Sequence, residues 1–201
     1  MRVTFGSDSW DEDMEITSLS GMSHIQHDLK TMGGRCDISH VLNKYGLTGE
    51  VAEIGTDMGH FASAVLAAWK GKVYCAVDLW EKQDPRIYPE THFDHEASFR
   101  CALELAQKDR RLELVRLHSV TASVLFHDNS LDWVWIDANH EYQPVMDDMN
   151  AWWPKVNPGG VFSGHDYPLP TVRPAVNRWM MAHKIPFVVS DSSWWSIKPK
   201  K

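Results

Sequence analysis

The chain has few cysteines, and their spacing predicts neither a disulfide framework nor a zinc site. Its 201 residues include three, Cys36, Cys75 and Cys101, an odd number with no CxxC pair. Cys75 falls within an apolar strand pattern and Cys101 within a helical one. We therefore interpret the cysteines as reduced residues in or near the core.

Long apolar runs and an excess of positive charge are also absent. No stretch approaches the apolar length that crosses a membrane, and residues 1–8 lack the apolar region of a signal peptide. Lys and Arg number 20 against 27 Asp and Glu, a net charge of -7. Because nucleic-acid backbones bind basic surfaces, we expect no nucleic-acid partner. We also expect a cytoplasmic protein that has no membrane partner.

The composition is that of a single globular domain, with 43% hydrophobic and 23% charged residues. From residue 50 onward, strand and helix patterns alternate, which is typical of a parallel sheet covered by helices on both faces. Strands are predicted over residues 51–55, 72–78, 112–117, 131–136, 161–163, 187–189 and 195–197. Helices are predicted over residues 61–69, 94–108, 120–126, 141–153 and 170–183. This is an α/β fold with a doubly wound, mostly parallel sheet of seven strands.

Residues 1–46 differ from the rest of the chain. They contain a weakly amphipathic stretch and a short helical pattern with Asp37 as its predicted cap and Gly46 as its stop. We interpret them as a short helical segment that serves as a lid or a dimerisation arm, and residues 47–201 as the main domain. His24 and His27 have a close spacing but no nearby acidic pattern, which favours a solvated or lid role over metal binding.

Two apolar strand patterns end in side chains that can bind metals or move protons. Asp137 follows the strand at residues 131–136, and His165 and Asp166 follow the strand at residues 161–163. Ligands bind beyond the carboxyl ends of strands in open α/β sheets, so these side chains should meet at one edge. Carboxylates with one imidazole suit Mg²⁺ or Mn²⁺. The pattern predicts a divalent-metal site.

A glycine-containing turn follows the first predicted strand and opens a helix, the context of a nucleotide-binding loop. Gly55 and Gly59 permit a sharp turn close to a ligand. Asp57 would repel a pyrophosphate, which disfavours NAD and FAD, whereas Glu53 and Asp57 suit a cofactor with a positive amino group. Asp78, at the end of the next strand, can accept both hydroxyls of a ribose. The alternatives are an ordinary turn and a helix-capping role for Asp78.

These motifs, in this order, resemble those of the class I S-adenosylmethionine-dependent methyltransferases. More narrowly, the chain resembles the small-molecule O-methyltransferase group that includes macrocin O-methyltransferase and the cephalosporin hydroxylase-like proteins. The resemblance covers roughly residues 50–167. Besides the glycine turn it rests on Val77-Asp78-Leu79-Trp80, Asp137-x-x-His140-x-Tyr142, Pro158-Gly-Gly160 and Gly164-His-Asp-Tyr167. It implies a Rossmann-like fold that binds S-adenosylmethionine.

The resemblance also implies which residues form the site. The cofactor would be lined by Glu53, Gly55, Thr56, Asp57, Gly59, Asp78, Leu79, Trp80, His118, Ser119 and Asp137, with His118 and Ser119 near the adenine. In related metal-dependent methyltransferases a carboxylate ends the fourth strand and a pair of ligands ends the fifth, which matches Asp137, His165 and Asp166. His165 stands where better-known members carry a second acid.

Three residues are predicted to be catalytic: Asp137, His140 and His165. Methyl transfer to an alcohol needs an oxygen nucleophile, and a divalent cation such as Mg²⁺ both lowers the pKa of that oxygen and directs its attack. His140 is the leading general base, since imidazole titrates near neutral pH. The alternatives are a structural hydrogen bond from His140 to Asp148, and His165 as the base with only the two carboxylates on the metal.

The predicted function is metal-assisted O-methylation of a hydroxyl on a small molecule, such as a sugar or a natural-product intermediate. Alternatives are a metal-dependent hydrolase or hydroxylase-like protein with the same acidic site, or a non-catalytic protein that binds S-adenosylmethionine. The acceptor pocket should be shaped by residues 1–46 and 83–93, with Tyr88 and His92 facing substrate. A homodimer is the expected assembly, because related proteins are often dimers.

Overall fold

The computed structural model describes residues 23–84 and 94–200. Tyr88 and His92, predicted to face substrate, lie outside the described residues. No helix in the described ranges combines the length and the apolar character needed to cross a membrane.

Seven strands form one sheet in the order β3-β2-β1-β4-β5-β7-β6. The strands are β1 (Glu50–Ile54), β2 (Val73–Asp78), β3 (Leu112–Arg116), β4 (Leu131–Ile136), β5 (Val156–Gly164), β6 (Phe187–Ser190) and β7 (Ser193–Ile197). The pairs from β3 through β5 are parallel, and β7 is antiparallel to both β5 and β6. The chain reverses direction of winding between β1 and β4, where ligands bind in such sheets. The predicted Rossmann-like, mostly parallel sheet is confirmed.

The described helices cover both faces of the sheet. They are α1 (His24–Lys30), α2 (Ile38–Lys44), α3 (His60–Leu66), α4 (His95–Lys108), α5 (Ser119–Ala122), α6 (Tyr142–Trp152) and α7 (Val172–His183), with 3-10 turns at Arg35–Asp37, Ser123–Leu125 and Trp153–Lys155. Strand residues alternate between two cores, because successive side chains of a strand point to opposite faces. Ala52 and Ile54 join Trp152 and Trp179 on one face, whereas Val51 joins the residues of α1 to α3 on the other.

The segment before β1 packs into the domain. Leu29 of α1 is fully buried, and its carbonyl accepts a hydrogen bond from the Ser190 hydroxyl of β6 (2.9 Å). Asn43 of α2 donates to the carbonyl of Ala68 and accepts from the amide of Lys70, both at 2.9 Å. Residues 23–46 therefore share a core with the sheet.

Several local predictions were wrong. The helical pattern over residues 94–108 predicts Phe99, Leu103 and Leu105 on or near the buried side. Leu103 is instead 41% exposed, because the buried stripe of α4 runs through Ser98 and Ala102. Asp37 stands at the N-cap of α2 without capping it, since its carboxylate accepts from the amide of Gly33 instead. Cys36 is exposed rather than near-core, whereas Cys75 is buried. Strand β5 begins five residues earlier than predicted, because Val156 pairs with Leu131 of β4 and the backbone of Gly159 and Gly160 bonds to that of Lys198.

Candidate active site

A cleft of about 570 Å³ opens at the carboxyl ends of β1, β2 and β4. That volume is within the usual range for small-molecule and cofactor sites. Ten of the eleven predicted cofactor residues line it: Glu53, Gly55, Thr56, Asp57, Asp78, Leu79, Trp80, His118, Ser119 and Asp137. Gly59 does not line it and is the N-cap of α3.

The glycine turn brings β1 against the end of β4. Gly55 has φ +90°, and a Cβ there would lie 2.1 Å from the carbonyl oxygen of Asp137, so no side chain fits. The amide of Gly55 donates to Val77 of β2, and that of Asp137 donates to Ile54 of β1. Gly59, at φ +78°, starts α3. The absence of a side chain at Gly55 therefore allows three strand ends to converge.

Asp78 ties together the two loops that flank the cleft. Its carboxylate accepts from the amide of Asp57 in the glycine turn (2.9 Å) and from the amide of Trp80 (2.8 Å). The indole of Trp80 donates back to the carbonyl of Asp57 (2.7 Å). Asp57 and Trp80 both have positive φ, 49° and 45°, which is rare for residues other than glycine. The carboxylate therefore holds two strained turns in place and leaves lone pairs for a ligand.

Trp80 is fixed from behind by a stack of side chains. Its ring is tilted against that of Phe99, with centroids 5.1 Å apart, and the guanidinium of Arg116 lies over the ring of Phe99 at 4.6 Å. Arg116 also donates to the carbonyl of Trp80 (2.8 Å). Trp80 is 1% exposed, so its indole forms a rigid wall of the cleft.

Glu53 is a buried carboxyl at the base of the cleft. It accepts from the hydroxyl of Thr56 (3.3 Å) and is 2% exposed. Burial, and secondarily the charge of Asp137, raise the pKa of Glu53 well above its usual value. A cation entering the cleft would lower the pKa of Glu53 again, because a positive charge favours the ionised carboxyl.

A second buried carboxyl, Asp148 of α6, lies at the end of the cleft near His118 and Ser119. Asp148 is 4% exposed and is hydrogen-bonded to Ser119, whose hydroxyl also accepts from the indole of Trp152 (2.8 Å). Burial raises the pKa of Asp148 to about 7. The sequence predicts Asp148 as a possible partner of His140, whereas in the structure the carboxyl of Asp148 is hydrogen-bonded to Ser119.

The predicted metal-binding and catalytic residues come together at the edge of the cleft, where β4 and β5 end. The ligand atoms of Asp137, His140 and Asp166 lie within 4.8 Å of one another. His140 Nε2 is 3.0 Å from Asp166 Oδ2 and 3.7 Å from Asp137 Oδ1. His165 Nδ1 is 3.2 Å from Asp166 Oδ2 and 3.8 Å from Asp137 Oδ1. Asp137 and His140 line the cleft, and His165 and Asp166 stand next to them.

Strand register sets this convergence. Ile136 of β4 pairs with Gly164 of β5, and the amide of His165 donates to the carbonyl of Ile136 (3.0 Å). Gly164 has no room for a side chain, since a Cβ would lie 2.5 Å from that carbonyl oxygen. Residues 137, 165 and 166 therefore leave the sheet side by side. The ring of His165 packs against that of Trp135 beneath them, with centroids 5.9 Å apart.

Sequence reasoning missed Arg35 as a residue of this site. Its Nη1 atom lies 3.3 Å from Asp137 Oδ2, and its guanidinium covers the ring of Phe61 at 5.0 Å. No local motif marks it, because it reaches the site from the 3-10 turn between α1 and α2. His24 and His27, by contrast, lie on α1 and do not line the cleft.

A family model described as a methyltransferase domain, Methyltransf_24, matches residues 52–167, more than half of the chain. The chain belongs to this family. The matched range holds the glycine turn, Asp78 and the ends of β4 and β5, so the class I S-adenosylmethionine-dependent methyltransferase predicted from the motifs is confirmed.

Solved structures share this fold at low sequence identity. The O-methyltransferase NovP has a TM-score of 0.61 at 13% identity, over 82% of this chain and 78% of its own. An O-methyltransferase described as putative, from Klebsiella pneumoniae, has a TM-score of 0.59 at 13% identity, over 90% and 93%. Among curated sequences, an uncharacterised protein, R132 of Acanthamoeba polyphaga mimivirus, is 43% identical over 54 residues. That match spans 25% of this chain and 24% of the viral protein.

Proposed function

We propose that the protein is a divalent-metal-assisted O-methyltransferase that transfers a methyl group from S-adenosylmethionine to a hydroxyl of a small molecule, such as a sugar or a natural-product intermediate. The observation that carries the proposal is the convergence of two carboxylates, Asp137 and Asp166, with the imidazoles of His140 and His165 at the edge of the cleft. A methyltransferase that only brings cofactor and acceptor together needs no side chains that bind a metal or accept a proton. Two carboxylates and two imidazoles lie together here.

The cleft suits a cationic nucleoside. Asp78 has lone pairs to accept the ribose hydroxyls, while Glu53 and Asp57 favour the positive amino group of the cofactor. His118 and Ser119 line the cleft together with Trp80 and Asp148, and we expect them to lie near the adenine. Side chains thus supply both recognition of the nucleoside and exclusion of water.

The acidic donors suit a hard divalent cation. Asp137 and Asp166 offer carboxylate oxygens, with an imidazole of His140 or His165 beside them, a set typical of Mg²⁺ or Mn²⁺. When bound, such an ion lowers the pKa of an alcohol and fixes its orientation. The Asp137 carboxylate is positioned for this by its place at the end of β4.

In the transfer itself, the acceptor oxygen forms a bond to the methyl carbon as the carbon–sulfur bond breaks, and the sulfonium becomes a neutral thioether. The acceptor proton passes to an imidazole. His140 is the better placed of the two histidines to take it, since it lines the cleft, whereas His165 packs on Trp135. Asp166, 3.0 Å from His140 Nε2, would stabilise the imidazolium that results.

Calorimetry with S-adenosylhomocysteine, with and without Mn²⁺, tests the proposal. We expect the nucleoside to bind, and Asp137→Asn to lower Mn²⁺ affinity at least about tenfold. A metal-dependent hydrolase would bind Mn²⁺ but not S-adenosylhomocysteine. A non-catalytic protein would bind S-adenosylhomocysteine and transfer no label from labelled cofactor to any acceptor. Unchanged Mn²⁺ affinity in Asp137→Asn would remove the metal assignment.

The roles of the two histidines are distinguished by measuring Mn²⁺ affinity and the pH profile of kcat in His140→Gln and His165→Gln. The histidine that binds the ion loses Mn²⁺ affinity when replaced. The histidine that acts as the base keeps Mn²⁺ affinity but loses the acidic limb of the pH profile of kcat. We expect His140→Gln to show the second behaviour.

A further inference from the structure

The guanidinium of Arg35 enters the site from outside the methyltransferase core. The 3-10 turn Arg35–Asp37 positions it, and the ring of Phe61 on α3 supports it from below. Within residues 23–84 and 94–200, the hydrogen bond of its Nη1 to Asp137 Oδ2 is its one hydrogen bond, and at 3.3 Å it is long for a charge-assisted pair. Most N–H groups of the guanidinium therefore have no hydrogen-bond partner among the described residues.

Arg35 approaches the opposite side of Asp137 from the two histidines. His140 and His165 face Oδ1 of that carboxylate, whereas Arg35 faces Oδ2. A group bound to Arg35 would therefore lie across Asp137 from His140 and Asp166. It would also lie within the cleft, which Arg35 lines.

Arg35 differs in charge from the other residues of the cleft. It is the one Lys or Arg among the described residues that line the cleft, where the other ionisable side chains are carboxylic acids and histidines. An anionic part of a ligand therefore has this one guanidinium to pair with in the described lining.

We propose that Arg35 binds a carboxylate on the acceptor, so that the substrate is a hydroxylated carboxylic acid rather than a neutral alcohol. A guanidinium fork matches a carboxylate by two parallel hydrogen bonds, which fixes orientation as well as affinity. Arg35 is then a specificity-determining residue: it selects the acid and aims its hydroxyl past Asp137 toward the methyl group. This inference rests on the proposed function and names its substrate class.

The test uses hydroxylated acids, each paired with its neutral primary amide: lactate, 3-hydroxybutanoate and 3,4-dihydroxybenzoate. Their binding is measured by calorimetry to the full chain with S-adenosylhomocysteine and Mn²⁺ present, in wild type, Arg35→Gln and Arg35→Lys. We expect one acid or more to bind about tenfold to a hundredfold more tightly than its amide in wild type. That preference should disappear in Arg35→Gln and return in part in Arg35→Lys.

The control variant is Arg110→Gln, which removes an exposed arginine outside the cleft and should keep the preference. Equal binding of acids and amides by wild type, no binding of either, or a preference that survives in Arg35→Gln would each overturn the proposal. Failure of the proposed function looks different, because S-adenosylhomocysteine or Mn²⁺ would then fail to bind before any acceptor is added. Retention of both ligands by Arg35→Gln shows that the variant is folded.

Discussion

At the scale of single residues, Gly55 is the position of the cofactor turn that is least able to accept a side chain. Gly55→Ala would place a methyl group 2.1 Å from the carbonyl oxygen of Asp137 at φ +90°. Backbone strain alone costs about 1–2 kcal/mol, and the overlap must also displace Asp137. We expect a loss of stability above about 2 kcal/mol and a loss of both S-adenosylhomocysteine and Mn²⁺ binding, measured by urea unfolding and calorimetry.

Gly46→Ala is the matched control. Gly46 also has positive φ, +71°, but an added Cβ would meet nothing within 4 Å. Gly46→Ala should lower the free energy of unfolding by the backbone strain alone, about 1 kcal/mol, and leave ligand binding unchanged. Equal effects of the two substitutions would mean that the contact of Gly55 with the end of β4 does not matter.

The buried carboxyl of Asp148 makes the stability of the protein depend on pH. Its pKa is raised to about 7 in the fold, against 3.8 for the ordinary carboxyl, so the folded protein holds a proton that the unfolded chain releases. Stability therefore falls as pH rises between these values and levels off above pH 7. From pH 5 to pH 7 this contribution is about 2 kcal/mol. Asp148→Asn should remove that part of the decline, as measured by urea unfolding at several pH values.

Glu141→Gln provides the comparison, since Glu141 is an exposed carboxyl at the start of the same helix. It should leave the pH dependence of stability as it is in wild type. An identical decline in wild type and Asp148→Asn would contradict the assignment of the proton to Asp148.

At the scale of elements, α1 is bound to the antiparallel end of the sheet. Leu29 is fully buried among residues of α2, α3 and the sheet. We expect Leu29→Ala to lower the free energy of unfolding of the whole domain by about 2–4 kcal/mol. Val124→Ala, at a site that is 75% exposed, should change it by less than about 0.5 kcal/mol. A helix that opened independently would leave global unfolding unaffected by Leu29→Ala.

The sequence was sufficient to predict most elements, because alternation of apolar residues and strand-terminal turns are local signals. The seven strands and the helices between them follow from such patterns, as does the meeting of Asp137 with His165 and Asp166. Leu103 was misplaced because the buried stripe of α4 consists of small residues, Ser98 and Ala102, that hydrophobic periodicity does not weigh. Arg35 could not be predicted, since its contact with Asp137 joins residues 102 apart through packing of a segment without a motif.

At the scale of the whole molecule, two cores on opposite faces share every central strand. The core that contains Val51 and Trp133 also contains Leu29 and Leu42 from the segment before β1. We expect one cooperative unfolding transition, with far-ultraviolet circular dichroism and tryptophan fluorescence giving the same midpoint. A separate, earlier transition would show that the segment at residues 23–46 is held more weakly than its burial indicates. Self-association of the chain stays a prediction.

The pairing of Ile136 with Gly164 has a consequence for how this chemistry could change over evolution. Residues 137, 165 and 166 owe their proximity to the hydrogen-bond ladder between two inner strands, not to the loops that carry them onward. The sheet therefore fixes the positions of these side chains, whichever residues occupy them. Replacing one of them, for example His165 by an acid, would change which ion or acceptor binds and would leave the sheet unchanged.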